Sequence, residues 1–189
     1  MNGMTRLSML LAALLAACGG TPSAETRVAS ATREAPGSLG IPNERHIGAI
    51  VTGGPPDAAA LERAQAAGIT TVITLRLELE AGFDVERAKV EELGMRFVSV
   101  PVDGAAGVTE ANARLVDEAI EASTGGILLH CGSGNRAGAI LAMRAFYVQE
   151  RTLDESMQIG LAAGLTNLQS AVRANIEAAC EGEDTPAGC

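Results

Sequence analysis

Residues 126–143 constrain the fold more than any other stretch, because they join a buried strand to a helix through a short loop. An apolar run from Gly126 to Leu129 leads into HCGSGNRAG, and an apolar helical pattern follows. The backbone N–H groups of such a loop and of the helix start lack intrahelical partners and converge on one point. Cys131 begins the loop and Arg136 ends it. The stretch therefore predicts a site where a thiolate and an oxyanion meet.

Each residue of this loop has a predicted role. Cys131 is the candidate nucleophile, since the positive potential favours its thiolate form; a buried packing cysteine is the alternative. Arg136 supplies a planar fork that fits two oxygens of a phosphate or sulfonate. Backbone donors for the substrate are expected from the four residues between them, Gly132, Ser133, Gly134 and Asn135.

Strand and helix patterns alternate through the rest of the chain. Strand-like runs cover residues 47–51, 69–75, 95–102 and 127–130. Helical patterns cover 57–67, 84–93, 109–123 and the stretch from the loop to about 149. Two later helices are predicted from capping-box pairs, Thr152 with Glu155 and Thr166 with Gln169. The alternation predicts a three-layer α/β fold with a mostly parallel central sheet and helices on both faces. Ligands of such sheets bind beyond the carboxyl ends of the strands, where Cys131 falls.

The N-terminus has the pattern of an exported protein. Arg6 precedes an apolar run over residues 7–17 that is too short to span a bilayer, and small residues lead up to Cys18. The pattern resembles the bacterial lipobox, which implies cleavage before Cys18 and lipidation of that residue. An ordinary signal peptide with an incidental cysteine is the alternative. We expect an extracytoplasmic, membrane-anchored lipoprotein, with Gly19 after the cysteine favouring the outer membrane facing the periplasm.

These patterns divide the chain into four segments. They are a lipoprotein signal peptide at 1–17, a lipidated flexible tether at 18–42, one folded domain at 43–178 and a C-terminal tail at 179–189. The tether is predicted from Ser, Thr, Ala, Gly and Pro without apolar periodicity. The tail contains Cys180 and Cys189, which either remain free or, as we favour, form a disulfide in an oxidising compartment.

Composition limits the partners. The formal net charge of −9 over 189 residues argues against nucleic acid. Two histidines and the cysteine spacings do not match a zinc site, so we predict no metal and no cofactor. We expect a monomer that acts on a phosphoester or another small anionic substrate and contacts the membrane only through its lipid.

Four segments together resemble the cysteine-based dual-specificity phosphatase fold: VTGGPP, AGITTVITLR, GMRFVSVPVDG and LLHCGSGNRAGA. More narrowly, residues 43–178 are similar to the small bacterial phosphatase-like domain also found fused to β-lactamase-like hydrolases. The resemblance implies that Cys131 is the nucleophile of a phosphatase and that Arg136 clamps the oxyanion. It places Asp103 at the position of the general acid. A turn residue before Gly104 is the alternative for Asp103.

Two features of the loop leave the chemistry open. Phosphatases of this fold have five residues between the cysteine and the arginine, whereas this chain has four, and Ala137 replaces their usual Ser or Thr. The shorter loop is similar to that of rhodanese-type sulfurtransferases, which implies a persulfide on Cys131 as an alternative. A non-catalytic, anion-binding lipoprotein is the third interpretation. Two nearby residues have expected roles. We expect His130 to hold the loop by a hydrogen bond, with a packing histidine as the alternative. We expect Arg76 to pair with a surface glutamate rather than to support the loop.

Overall fold

The computed structural model describes residues 37–182 and 185–189. The strands of this part of the chain are β1 (Arg45–Ile47), β2 (Ile50–Gly53), β3 (Ile69–Thr74), β4 (Arg96–Ser99) and β5 (Gly126–His130). The helices are α1 (Ala58–Ala66), α2 (Phe83–Glu92), α3 (Glu110–Glu121), α4 (Asn135–Tyr147), α5 (Leu153–Ala162) and α6 (Gln169–Cys180). None of these helices is long and apolar enough to cross a bilayer. The predicted signal peptide, Cys18 and most of the predicted tether lie outside the described residues.

The strands form one sheet in the order β1-β2-β5-β3-β4. Four of them run parallel, and β1 pairs antiparallel with β2. β5 lies at the centre, where Gly53 of β2 and Thr74 of β3 are both in register with His130. The carboxyl ends of three neighbouring strands therefore meet beside the residue that precedes Cys131.

Helices cover both faces of this sheet, which confirms the predicted three-layer α/β fold. Successive strand residues point to opposite faces, so Leu129 packs in a cluster with Val116 of α3 and Ile140 of α4. Leu128 instead packs with residues of α1 and α2 on the other face, in a cluster that includes Leu61 and Val90. Such two-sided burial explains why the β5 sequence is apolar at consecutive positions.

The N-terminal strand region differs from the prediction. A single strand over residues 47–51 is wrong, because the chain turns at Gly48 and forms the β1–β2 hairpin instead. Gly48 has a φ of +58°, a left-handed conformation that glycine adopts readily. The turn residue was visible in the sequence, but the apolar residues on both sides of it concealed the reversal.

The two predicted capping boxes have different outcomes. At α5 the Thr152 hydroxyl accepts from the Glu155 N–H, and the Glu155 carboxylate accepts from the Thr152 N–H, as predicted. At α6 the prediction is wrong, because the helix begins only at Gln169 and has no side-chain cap. There the Gln169 side-chain amide donates to the Thr166 carbonyl.

The folded part extends beyond the predicted limits of 43 and 178. Leu39 and Ile41, which fall in the predicted tether, are buried in the cluster beneath α1 and α2. At the other end Cys180 and Cys189 form a disulfide, which confirms the interpretation favoured for the tail. The four-segment division placed both boundaries at changes in composition, whereas the burial of Leu39 and Ile41 extends the folded part at one end and the disulfide extends it at the other.

Candidate active site

The predicted loop lies between the end of β5 and the start of α4. Cys131 is buried, with 1% of its surface exposed, and its backbone N–H donates to the Gly53 carbonyl at 3.2 Å. The Gly134 N–H points at the Cys131 sulfur, with a nitrogen–sulfur distance of 3.2 Å. Gly134 adopts a left-handed φ of +89°, which lets the chain turn directly into α4. The structure therefore brings one of the four candidate backbone donors, that of Gly134, to the sulfur.

The start of α4 is open to an anion. Gly134 is its N-cap residue and provides no side-chain hydrogen bond to the first turn. The first N–H groups of a helix without such a cap need a partner, and the helix dipole favours a negative one. Cys131 is the free cysteine of the described residues. The Cys131 side chain and the uncapped N–H groups therefore lie at one end of α4.

Asn135 uses its side chain to fix the loop. Its Oδ1 accepts from the backbone N–H of Thr166 at 2.7 Å and from that of Leu168 at 3.4 Å. These bonds attach the first turn of α4 to the connection between α5 and α6. The Asn135 side chain therefore anchors the loop through its Oδ1, and the predicted role of this residue as a donor concerns its backbone N–H.

Arg136 is held by a carboxylate that the sequence analysis did not identify. Its Nη1 donates to Glu80 Oε1 at 2.7 Å, and its Nη2 donates to Glu80 Oε2 at 3.0 Å. The same Nη1 donates to the carbonyls of Leu75 and Val102, each at 3.1 Å. These bonds hold the guanidinium in one orientation. The Arg136 hydrogen bond lowers the pKa of Glu80 to about 2, and Glu80, followed by the charge of Cys131, raises the pKa of Arg136.

The side chain of His130 turns towards α2. Its Nε2 lies 2.7 Å from Glu86 Oε1, and both side chains are buried. Glu86 also accepts from Arg76 Nη1 at 3.2 Å. The expectation that Arg76 pairs with a surface glutamate is wrong, because Arg76 is only 6% exposed, binds the buried Glu86 and donates to the Ala81 carbonyl. Its Nε lies 3.5 Å from Glu80 Oε2.

These contacts connect the two ends of the loop. The charge network, as we name it, runs through His130, Glu86, Arg76, Glu80 and Arg136. It starts beside Cys131 and ends on the predicted oxyanion clamp. Its three middle members all come from residues 76–86, the β3–α2 segment. The position of β3 beside β5 brings this segment to the loop.

Asp103, the predicted general acid, lies on the exposed loop after β4. It directly follows Val102, whose carbonyl accepts from Arg136, so its backbone lies next to the clamp. Glu80 is also close, but its pKa of about 2 keeps it ionised near neutral pH and unable to give up a proton. Asp103 is therefore the better candidate acid of these two.

Cys131 follows the central parallel strand, its sulfur accepts from the Gly134 N–H, and Arg136 lies in the first turn of the next helix. This arrangement is typical of cysteine-dependent phosphatases. The chain belongs to the family described as "Swiss Army Knife protein, DSP-PTPase phosphatase domain", whose model matches residues 50–184. A β-lactamase hydrolase-like protein from Xylella fastidiosa is 33% identical over 101 residues, which are 51% of this chain. That match spans only 23% of the relative's length.

Solved structures have the same fold. A DUF442 protein from Shewanella putrefaciens CN-32, described as a candidate phosphatase, is 20% identical with a TM-score of 0.55, covering 74% of this chain and 93% of that one. A candidate phosphatase from Neisseria meningitidis Z2491 is 20% identical with a TM-score of 0.57, covering 67% and 92%. TpbA from P. aeruginosa, in a complex with pTyr, is 19% identical with a TM-score of 0.55, covering 77% and 89%.

Proposed function

We propose that this domain hydrolyses phosphoesters through a covalent phosphate on Cys131. The observation that carries the proposal is the arrangement around Cys131: the Gly134 nitrogen lies 3.2 Å from its sulfur, and the charge of Cys131 acts on Arg136, which Glu80 holds in place. Backbone N–H groups and a fixed guanidinium stabilise charge that develops on phosphoryl oxygens. The shorter loop keeps both elements, so it still provides an oxyanion site.

The reaction has two balanced steps. In the first, the Cys131 thiolate attacks phosphorus, a P–S bond forms and the P–O bond to the leaving group breaks, while Asp103 gives that oxygen a proton. In the second, water attacks phosphorus, the P–S bond breaks and Asp103 takes the proton of the water. Arg136 and the loop N–H groups hold the phosphoryl oxygens in both steps. Inorganic phosphate leaves and the thiolate is restored.

We propose a small phosphomonoester as the substrate. The loop and Arg136 recognise a terminal phosphoryl group with free oxygens, which a monoester presents. Aromatic side chains that would form the walls of a deep pocket are scarce, since the chain has no Trp and one Tyr.

We also propose that the protein acts outside the cytoplasm, anchored by lipid on Cys18. The N-terminal pattern that ends at Cys18 supports this, and so does the Cys180–Cys189 disulfide, since such bonds persist in oxidising compartments.

The first test is hydrolysis of an aryl phosphate by residues 19–189, beside the Cys131→Ser variant. We expect turnover in the parent chain and its loss in the variant, because serine cannot form the thiolate. Sulfur transfer from thiosulfate to cyanide is measured in parallel. Sulfur transfer without phosphate release would reject the proposal in favour of the persulfide alternative.

Asp103 is tested by the choice of leaving group. An alkyl phosphate needs protonation of its leaving oxygen, whereas a nitrophenyl phosphate does not. We expect Asp103→Asn to lower kcat/KM, which reports only the steps up to departure of the leaving group, by about 10²–10⁴-fold with the alkyl ester and far less with the nitrophenyl ester. Equal losses with both esters would remove Asp103 from the role of general acid.

A further inference from the structure

A segment outside the family match contacts residues 131–136, which we call the catalytic loop. Residues 39–44, which we call the N-terminal clasp, precede residue 50, where the family model begins. Within the clasp, Asn43 donates from its side-chain Nδ2 to the Ser133 carbonyl at 3.2 Å. This contact links residues 90 positions apart in the chain. A part of the catalytic loop is therefore held by residues that the phosphatase family model does not include.

The clasp is a fixed structure. The Glu44 carboxylate accepts from the backbone N–H groups of Leu39 and Gly40, at 3.0 and 2.7 Å, and from that of Ile41 at 3.3 Å. The side chains of Leu39 and Ile41 are buried in the core. Asn43 is therefore presented from a turn that is closed by its own hydrogen bonds and anchored in the domain.

A second contact places the clasp against the end of β2, beside the loop. The Pro42 carbonyl accepts from the Gly54 N–H at 2.7 Å. The clasp also leaves no space for a side chain at Gly53. A Cβ at that position would lie 2.7 Å from Ile41 Cδ1 and 2.8 Å from the Pro42 carbonyl oxygen. Gly53 in turn accepts from the Cys131 N–H. The clasp therefore supports the loop at two points. Asn43 binds the Ser133 carbonyl, and Ile41 and Pro42 pack against Gly53, whose carbonyl accepts from the Cys131 N–H.

The peptide between Ser133 and Gly134 explains why the Asn43 contact matters. A trans peptide unit is planar, and its carbonyl and N–H point in opposite directions. The Ser133 carbonyl is bound by Asn43, while the Gly134 N–H of the same unit points at the Cys131 sulfur at 3.2 Å. Holding the carbonyl therefore aims the N–H.

The backbone of Asn43 suits this task. Its φ is +54°, a left-handed conformation that asparagine, aspartate and glycine tolerate better than other residues. Of these three, only asparagine has a side-chain N–H to donate. The position therefore combines a backbone requirement with a hydrogen-bond donor.

We propose that Asn43 is a positioning residue that orients the Ser133–Gly134 peptide so that its N–H stabilises the Cys131 thiolate and then the phosphoryl oxygens. The proposal rests on the proposed phosphatase function for its second part only. The first part concerns the ionisation of a thiol and is measurable without any substrate.

The test compares Asn43→Gly, Asn43→Asp and a matched control, each made in residues 19–189. Asn43→Gly keeps the left-handed backbone and removes the side-chain donor. Asn43→Asp keeps the shape of the side chain but places a carboxylate, which cannot donate, against the Ser133 carbonyl. The control is Glu150→Gly, since Glu150 is exposed and has a φ of +55°. The readouts are the ultraviolet thiolate signal of Cys131 against pH, kcat/KM for an aryl phosphate and the thermal midpoint.

We expect Asn43→Gly to raise the pH midpoint of thiolate formation and to lower kcat/KM by about tenfold, part of the 10²–10³-fold effect of losing an oxyanion donor outright. Asn43→Asp is expected to have at least the same effect, and Glu150→Gly none. An unchanged thiolate midpoint in Asn43→Gly would overturn the proposal, as would equal changes in Glu150→Gly. If the parent chain lacks phosphatase turnover, the thiolate titration still decides the role of Asn43.

Discussion

Two glutamates of the β3–α2 segment bind opposite ends of the catalytic loop in different surroundings. Glu86 is an interior residue with 5% of its side chain exposed, and it binds His130 and Arg76. Glu80 lies at the rim, with 30% of its side chain exposed, and binds Arg136. The same type of side chain therefore has two roles: Glu86 neutralises buried charge, and Glu80 orients a guanidinium that is partly exposed to solvent.

The difference predicts separate consequences for stability and activity. Breaking a buried ion pair leaves an uncompensated charge, which destabilises a protein strongly, whereas a partly exposed pair contributes little to stability. Positioning of a substrate-binding group, by contrast, affects catalysis whether or not it affects folding. Glu86 should therefore act mainly on folding and Glu80 mainly on turnover.

The largest effect is expected from Glu86→Ala. The substitution leaves Arg76 and His130 in the interior without their shared partner, so the free energy of unfolding should fall by about 3–5 kcal/mol. Urea unfolding followed by circular dichroism measures this value. A loss below about 1 kcal/mol would show that the buried pair is not the structural centre of the charge network.

Glu80→Gln should separate the two roles most clearly. Glutamine keeps the shape but loses the charge and one of the two bonds that orient Arg136, so kcat/KM for an aryl phosphate should fall by about 10–100-fold. The free energy of unfolding should change by about 1 kcal/mol or less. If stability falls as far as in Glu86→Ala while kcat/KM is kept, the comparison between the two glutamates is wrong.

The smallest effect concerns pH. The pKa of Glu80 is lowered from 4.5 to about 2, so the folded state holds the ionised form more strongly than the unfolded chain does. The stability that Glu80 provides is therefore fully present above about pH 4.5 and is lost as the pH falls towards 2. The difference in unfolding free energy between the parent chain and Glu80→Gln should be constant above pH 4.5 and shrink below it. A difference that grows on acidification would contradict this assignment.

The sequence was sufficient for the parts of the molecule that are local in the chain. The apolar β5 run, the loop from Cys131 to Arg136 and the α4 pattern were predictable because their periodicity and turn residues are contiguous. The capping box of α5 was predictable for the same reason, since Thr152 and Glu155 lie within one helical turn.

The partners of the loop could not be predicted in this way. Glu80 and Glu86 are two of 23 acidic residues, and nothing in their local pattern distinguishes them from solvent-exposed charges. Their positions follow from the strand order, which places β3 beside β5. Asn43 was predicted only as the first residue of the folded domain, and Leu39 and Ile41 before it were assigned to the tether, although both are buried.

The most direct test of the central claim is to trap the covalent intermediate. Asp103→Asn lacks the base for the second step, so brief reaction with a nitrophenyl phosphate followed by acid quench should leave one phosphoryl group on the peptide that contains Cys131. The mass of that peptide should be unchanged in the variant that also carries Cys131→Ser. Phosphate release from the parent chain with no phosphorylated Cys131 peptide in Asp103→Asn would contradict the account.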